Sequence, residues 1–283
     1  MRITNQTFDE ERALYGISGA EIQGCRFDGP ADGESAFKEA SDLQVTDCYF
    51  NLRYPFWHVT NAVITRSEMT EKCRAALWYD KKITIDGCTM NGIKALRECE
   101  DITLKNTIVS SPEFIWKCRN ISVENVTINE SEYPFFEVTN LTAKNLRVKG
   151  KYSFQYTEDT EITDSVLETK DAFWHSKNVT VRDSVINGEY LGWYSENLRL
   201  INCTIAGTQP LCYCKNLVLE NCTLKDADLA FEKSSVRASL NGTIISVKNP
   251  LSGSISAEDI GEVIIDETCD ASKTRITTLR RNA

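Results

Sequence analysis

A short sequence pattern recurs along most of the chain. Each unit is about 19 residues long and opens on Asn, Asp or Lys. The units begin at Asp42, Asn61, Lys82, Asp101, Asn120, Asn140, Asp159, Asn178, Asn197 and Asn216. A unit this short cannot bury a core by itself, so it must stack on its neighbours. The repeat therefore predicts a solenoid.

The pattern within a unit is that of β-strands. Apolar residues occupy the second, fourth and ninth places, as in Asn178-Val-Thr-Val-Arg-Asp-Ser-Val-Ile186, and a polar Asn, Asp or Gly usually stands at the sixth. Such alternation is typical of strands, whereas a helix requires apolar residues three and four apart. The sixth residue tolerates the left-handed backbone of a tight bend. With a third, apolar-aromatic strand such as Ala172-Phe-Trp-His175, the units predict an all-β parallel β-helix of roughly ten to twelve coils.

One domain is predicted over residues 1–283, because no linker rich in Gly, Ser or Pro divides the chain. Residues 1–41 are expected to form an irregular amino-terminal coil and cap, residues 42–234 the regular coils, and residues 235–283 a carboxy-terminal coil and cap. The ends of a solenoid differ from its middle because an open terminal coil would expose unpaired backbone and apolar core.

The composition disfavours several classes of partner. The 41 acidic residues outnumber the 32 basic ones, and the net charge of −9 repels phosphate backbones, so nucleic acid is not expected as a partner. No apolar run has the length of a signal-peptide core or of a membrane span. We therefore expect no membrane association and a cytoplasmic location.

The 11 cysteines fit a reducing compartment. Five of them share the seventh place of the unit, which elsewhere holds Ser, Thr, Val or Leu: Cys25, Cys48, Cys88, Cys203 and Cys222. Cysteine in such a position is predicted to be a small buried residue and not part of a disulfide or a metal cluster. No metal site and no cofactor are predicted.

Two adjacent places of the unit, named here column 16 and column 17, collect every tryptophan and both histidines. Column 16 holds Trp57, Trp78, Arg97, Trp116, Phe136, Gln155, Trp174, Trp193, Cys212 and Phe231. Column 17 holds His58, Tyr79, Glu98, Lys117, Glu137, Tyr156, His175, Tyr194, Tyr213 and Glu232. Successive residues of a column lie ~4.8 Å apart. Because neighbouring strand positions face opposite sides, one column should point outward unless the strand ends between them, and the charged column 17 is the expected outer one.

The two columns predict a ligand-binding stripe. Aromatic rings can stack on sugar faces while carboxylates and amines bind hydroxyls, as in a wet binding groove. The residues predicted to bind a glycan or a small molecule are His58, Tyr79, Lys117, Tyr156, Trp174, Trp193, Tyr194 and Tyr213. For the tryptophans the alternative is packing between coils, which is a common use of stacked aromatic residues.

Several strings resemble those of a known family. They include Arg53-Tyr-Pro-Phe-Trp-His58, Lys170-Asp-Ala-Phe-Trp-His175 and Gly188-Glu-Tyr-Leu-Gly-Trp-Tyr194. The chain resembles uncharacterised bacterial proteins that form a domain of unknown function within the pectate-lyase-like superfold. The resemblance implies a right-handed β-helix and brings no activity with it. The Asn-x-Asp, Asp-Asp and Gly-His-Gly motifs of polygalacturonases are absent from the sequence.

Two sets of residues are candidates for catalysis. Glu98, Lys117 and Glu137 occupy three consecutive coils, which sets the glutamates ~9.6 Å apart, near the upper end of the separation in inverting glycosidases. The alternative is a solvated ladder of alternating charges. The second set is Asp171 with His175 on one coil, where histidine could transfer protons near neutral pH. Its alternative is a hydrogen-bonded surface histidine.

The leading hypothesis is thus a cytoplasmic β-helix that binds, and could process, a carbohydrate along the stripe. The rival hypothesis is a non-catalytic structural or assembly module that docks another protein or forms a homo-oligomer. A carbohydrate groove should be concave and lined by Tyr, His and Glu, whereas an assembly face should be flat and apolar at its centre.

Overall fold

The structure, a computed structural model, describes residues 1–279 as an all-β chain with one short 3-10 helix, Ala271–Lys273. The chain divides into two compact units, Met1–Val148 and Lys149–Ala283. Residues 1–279 contain no helix whose length and hydropathy would let it span a membrane.

In the first unit most coils begin with a longer strand followed by a short one, and in the coils of Arg119–Glu132 and Thr139–Lys151 the two are merged into one long strand. The strands that begin within this unit are β1 (Arg2–Thr4), β2 (Thr7–Phe8), β3 (Ser18–Gln23), β4 (Arg26–Phe27), β5 (Ser41–Thr46), β6 (Tyr49–Phe50), β7 (Phe56–Trp57), β8 (Thr60–Thr65), β9 (Glu68–Met69), β10 (Leu77–Trp78), β11 (Lys81–Asp86), β12 (Thr89–Met90), β13 (Leu96–Arg97), β14 (Glu100–Lys105), β15 (Ile108–Val109), β16 (Arg119–Glu132) and β17 (Thr139–Lys151).

The second unit repeats the same arrangement. Its strands are β18 (Glu158–Thr163), β19 (Val166–Lys170), β20 (Lys177–Arg182), β21 (Val185–Asn187), β22 (Glu196–Ile201), β23 (Thr204–Ala206), β24 (Leu217–Lys225), β25 (Ser235–Asn241), β26 (Thr243–Lys248), β27 (Ser252–Ala257), β28 (Asp259–Ile264) and β29 (Thr274–Thr278).

The fold is a parallel β-solenoid of about 15 turns, so the prediction of ten to twelve coils was too low. The additional turns lie at both ends. Residues 1–41 contain two first strands, β1 and β3, which pair in parallel. After residue 234 the chain adds β25, β27 and β29, which also pair in parallel. These coils lack the Asn-led signature but contain buried apolar residues such as Ile22, Ala238 and Ile255, which favour one pairing register.

Apolar residues that pair in register on successive coils form the core of each unit. In the first unit Ile85 pairs with Ile64 on one side and with Leu104 on the other, and all three are fully buried. In the second unit Leu200 lies between Val181 and Leu219 in the same way. Within each unit, the parallel pairing therefore places the apolar columns of the sequence in interior stacks.

Left-handed residues make the bends between strands. The predicted bend at the sixth place is confirmed, for example at Asp183 with φ +49° and at Asn202 with φ +53°. The opening residue of each unit is left-handed too. Where it is Asn, its side chain can continue a ladder: Asn197 Nδ2 donates to Asn178 Oδ1 at 2.8 Å, and Asn216 Nδ2 donates to Asn197 Oδ1 at 3.1 Å. Asparagine is used here for both its conformation and its amide.

The cysteines of the seventh place lie inside the coils. Cys25, Cys48, Cys88, Cys203 and Cys222 are all buried. Of the other six, Cys269 alone is partly exposed. The prediction that the seventh place packs in the interior is confirmed.

Candidate functional site

The third strand of a coil ends between columns 16 and 17. In the first unit β7 ends at Trp57 and β10 ends at Trp78. The next residues, His58 and Tyr79, have φ values of +58° and +59°, which turn the chain before the interior Val59. Because the alternation of side chains stops at this turn, column 17 faces outward, and most of its residues are exposed, whereas Glu98, Tyr213 and Glu232 are half-buried. The tryptophans of column 16 also lie at the surface, half-buried. Column 16 is buried at Gln155, Cys212 and Phe231.

In the second unit column 17 forms a stack of four rings, named here the tyrosine-histidine row: Tyr156, His175, Tyr194 and Tyr213. Successive ring centroids lie 5.0, 5.0 and 4.9 Å apart, with interplanar angles of 7°, 7° and 12°. Both faces of the His175 and Tyr194 rings are therefore covered by neighbouring rings. Tyr194 is still 47% exposed. The exposed part is the ring edge, so the row offers its polar groups, and not its ring faces, to solvent.

The tryptophans of the second unit pack between coils. Trp174 stacks on Trp193 with centroids 5.4 Å apart and an interplanar angle of 5°. Their indole nitrogens donate to main-chain carbonyls of the next coil, from Trp174 Nε1 to Tyr190 O at 2.7 Å and from Trp193 Nε1 to Gln209 O at 2.8 Å. The stacking occupies the facing surfaces of the two rings and the hydrogen bonds occupy both indole N–H groups, which leaves little for a ligand to bind. This geometry favours packing between coils as the role of the two tryptophans.

The first unit has a shorter aromatic stack in the same columns. His58 stacks on Tyr79 with centroids 5.1 Å apart, and Trp57 stacks on Trp78 with centroids 5.3 Å apart. Cations cover the ends of the tryptophan pair, with Lys38 Nζ 4.0 Å from the centroid of Trp57 and the Arg97 guanidinium carbon 5.3 Å from that of Trp78. The tryptophan pair therefore offers no free ring face to a ligand.

Glu98 and Glu137 each have a cationic partner. Arg97 Nε donates to Glu98 Oε1 at 2.8 Å, and Lys117 Nζ lies 3.5 Å from Glu137 Oε2. Burial acts to raise the pKa of Glu98, but hydrogen bonds from Arg97 and Tyr79 outweigh it and hold that pKa below its ordinary value. Glu98 therefore stays ionised near neutral pH, which is unfavourable for a general acid. The geometry matches the ladder of alternating charges.

Asp171 and His175 lie on one coil, as predicted, without forming a catalytic pair. Within residues 1–279 no hydrogen bond or ion pair joins their side chains. Burial raises the pKa of Asp171; the charge of Lys170 acts to lower it and that of Glu189 acts to raise it further. His175 is instead held between two tyrosine rings. A base oriented by a carboxylate, the usual triad arrangement, is not formed here.

Two polar features were missed by the sequence reasoning. Asp80 is fully buried in an interior column, where the neighbouring coils hold Val59 and Cys99, and an acidic residue in such a column was an available signal. The second feature is a groove of about 740 Å3 on the outward faces of β22, β24, β25 and β27. It lies outside both columns, and its sequence signal is the run of small outward residues in β25 and β27.

In the part of the chain from Met1 to Leu279, no three His, Cys, Asp or Glu side chains are placed to hold a metal ion.

A comparison with known protein families identifies the family of the chain. Residues 1–277 match the family described as a protein of unknown function, DUF3737. The chain belongs to this family. The predicted resemblance to an uncharacterised β-helix family is thereby confirmed. No curated protein matches the DUF3737 chain.

Solved structures similar to the DUF3737 chain include three β-solenoid or repeat proteins. The tailspike protein of E. coli bacteriophage HK620 in complex with a hexasaccharide is 10% identical to this chain. The match covers 97% of this chain and 66% of that chain, with a TM-score of 0.45. The catalytic domain of a GH87 alpha-1,3-glucanase with tetrasaccharides has 11% identity, 99% and 64% coverage, and a TM-score of 0.35. The pentapeptide repeat protein HetL from the cyanobacterium Nostoc has 11% identity, 78% and 92% coverage, and a TM-score of 0.34. No activity follows from these likenesses.

Proposed function

We propose that the protein is a non-catalytic module that binds an extended, uncharged polysaccharide along the tyrosine-histidine row. The observation that carries this proposal is the row itself, in which each of four successive coils presents one polar ring edge at intervals of 4.9 to 5.0 Å. A straight row of equally spaced polar groups suits a ligand that repeats along its own length. Phenol and imidazole groups can both donate and accept hydrogen bonds, as sugar hydroxyls do.

The net charge of the protein favours a neutral polysaccharide over an acidic one. The net charge of −9 opposes the approach of a polyanion, so a neutral polymer fits better than an acidic one. The absence of catalysis is also part of the proposal. It is supported by the pairing of Glu98 with Arg97 and of Glu137 with Lys117. A hydrolase would need one carboxyl group that is free to donate a proton.

The test is a Tyr194→Phe variant, because it removes the hydroxyl and keeps the stacked ring. Wild type and variant are compared by affinity electrophoresis in soluble xylan, mannan and mixed-linkage glucan, followed by titration calorimetry on any polymer that binds. We expect Tyr194→Phe to weaken binding about threefold to tenfold, since one hydrogen bond contributes ~0.5–1.5 kcal/mol net. Its melting temperature should stay near that of wild type.

The matched control is Tyr15→Phe, which removes a hydroxyl from a tyrosine that is 57% exposed and lies outside both columns. This variant should bind like wild type. Binding to none of the polymers would contradict the proposal. Unchanged binding by Tyr194→Phe together with lost binding by Tyr194→Ala would show that the ring, and not its edge, is recognised.

An assembly surface is the second candidate, and one observation favours it. Trp193 meets Tyr190 and Tyr213 edge to face, with centroids 5.4 Å apart in both pairs, which makes a dense aromatic surface beside the row. Aromatic residues are enriched at protein interfaces. If size exclusion shows a homo-oligomer that Tyr194→Ala converts to monomer, the surface serves assembly.

The proposal also places the protein in the cytoplasm. The support is the set of 11 cysteines, all of them free thiols in residues 1–279 and ten of them buried. Thiols persist in this form in a reducing compartment. Fractionation of the native host with a tagged chain tests the location.

A further inference from the structure

The groove on β22, β24, β25 and β27 lies within the second unit and belongs to a different face of the coil from columns 16 and 17. Its volume is about 740 Å3, within the ~300–1,000 Å3 of common ligand sites. The lining residues that matter here are Arg199, Glu220, Arg237, Ser239, Ser254 and Ser256.

A change of side-chain size along two outward columns creates the hollow. In one column Val218 is followed by Arg237 and then by Ser254. In the other column Glu220 is followed by Ser239, which pairs next with Ser256. The groove therefore has a floor of serine hydroxyls and a guanidinium group beside it.

The two arginines of the groove differ in their partners. Arg199 Nη2 donates to Glu220 Oε1 at 3.1 Å, so its charge is balanced within the protein. Arg237 is exposed, and among residues 1–279 its side chain has no ion pair and no hydrogen bond. On a chain with a net charge of −9, this places one uncompensated guanidinium at a ligand-sized polar hollow.

We infer that the groove binds a small hydroxylated ligand that carries one oxyanion group, a carboxylate or a phosphate, and that Arg237 pairs with this group. A guanidinium presents two parallel N–H donors that match either oxyanion. The serine hydroxyls are suited to sugar hydroxyls, whereas the amides of Asn197 and Asn216 at the edge of the groove are already engaged in the asparagine ladder. This site is independent of the tyrosine-histidine row.

Titration calorimetry with four probes tests the inference: glucuronate, glucose 6-phosphate, glucose and inorganic phosphate. At least one of the two acidic sugars should bind, and which of them binds more tightly tells a carboxylate ligand from a phosphate ligand. Glucose, which lacks the oxyanion, should bind at least about tenfold more weakly, and Arg237→Gln should weaken the acidic sugar by about tenfold or more. Inorganic phosphate should bind more weakly than glucose 6-phosphate, because it offers no sugar hydroxyls.

Two further variants make the test specific. Arg74→Gln removes the same charge from an exposed arginine of the first unit and should leave the affinity unchanged within about twofold. Glu220→Gln frees Arg199 and removes a negative charge from the groove, so it should tighten binding severalfold. The inference is overturned if neither acidic sugar binds, if glucose binds as tightly as they do, or if Arg74→Gln weakens binding as much as Arg237→Gln.

Discussion

Burial of the Asp80 carboxyl group in the solenoid interior can be tested directly by experiment. Its side chain is 0% exposed, its Oδ1 accepts a hydrogen bond from the Val59 backbone N–H at 2.7 Å, and its Oδ2 is buried without a hydrogen-bond partner. Burial raises the pKa of this carboxyl well above its ordinary value, although two backbone hydrogen bonds oppose the shift. The folded protein therefore holds Asp80 protonated at pH values where the unfolded chain does not.

The sign of the pH dependence follows from this difference. Below the unfolded pKa of about 3.8 both states bind the proton, and Asp80 contributes its full stability. As pH rises from there toward the raised folded pKa, the unfolded chain alone loses the proton, and the free energy of unfolding falls by about 1.4 kcal/mol per pH unit. A rise of two pH units within that window lowers the free energy of unfolding by about 2.7 kcal/mol.

Asp80→Asn keeps an acceptor for the Val59 N–H and removes the titration. We expect its free energy of unfolding to exceed that of wild type by a margin that grows as pH rises above about 4, by up to about 1.4 kcal/mol per pH unit. Urea unfolding followed by tryptophan fluorescence, at half-unit steps of pH, measures the difference. Asp226→Asn, which changes an exposed carboxylate, is the control and should show no such growing difference. A constant offset between Asp80→Asn and wild type at every pH would refute the reasoning.

The remaining predictions concern thiols, glycine and register. A thiol reagent should label Cys269 quickly under native conditions and the ten buried cysteines slowly, and fast labelling of several thiols would show that the cysteine columns face water. Gly207→Ala should destabilise the fold by roughly 1–3 kcal/mol in urea titrations, because φ is +135° and the new Cβ would lie 2.2 Å from Gly188 O; a neutral change would contradict this. Deleting the whole unit Asn178–Glu196 should leave a shorter folded solenoid by circular dichroism, whereas deleting ten residues of it should unfold the chain, and a folded ten-residue deletion would be evidence against the coil assignment.

The coils in the middle of the chain could be predicted because each unit repeats the same apolar places and the same Asn or Asp at its bends. A coil was predicted at each end, but the number of terminal coils could not be, since β1 and β27 share the parallel pairing but not the Asn-led signature. The number of turns was underestimated for that reason.

The orientation of column 16 could not be predicted from alternation, which fails where a strand ends on a left-handed residue. Nothing in a tyrosine such as Tyr79 indicates a φ of +59°, because bulky residues seldom adopt it. The stacking of the rings in column 17 could have been predicted from the sequence, because rings that lie ~4.8 Å apart in one column must cover one another's faces. The groove depends on small residues brought into register from separate coils, and a single unit does not reveal it.

The central claim, recognition of a neutral polysaccharide by ring edges, is tested most directly by a glycan array with two proteins. They are wild type and a variant with Tyr156→Phe, Tyr194→Phe and Tyr213→Phe, which keeps every stacked ring and removes three hydroxyls from the row. The account predicts that wild type binds a neutral linear polysaccharide and that the variant, with an unchanged melting temperature, loses that signal. A variant that binds the same polysaccharide as strongly as wild type would contradict it.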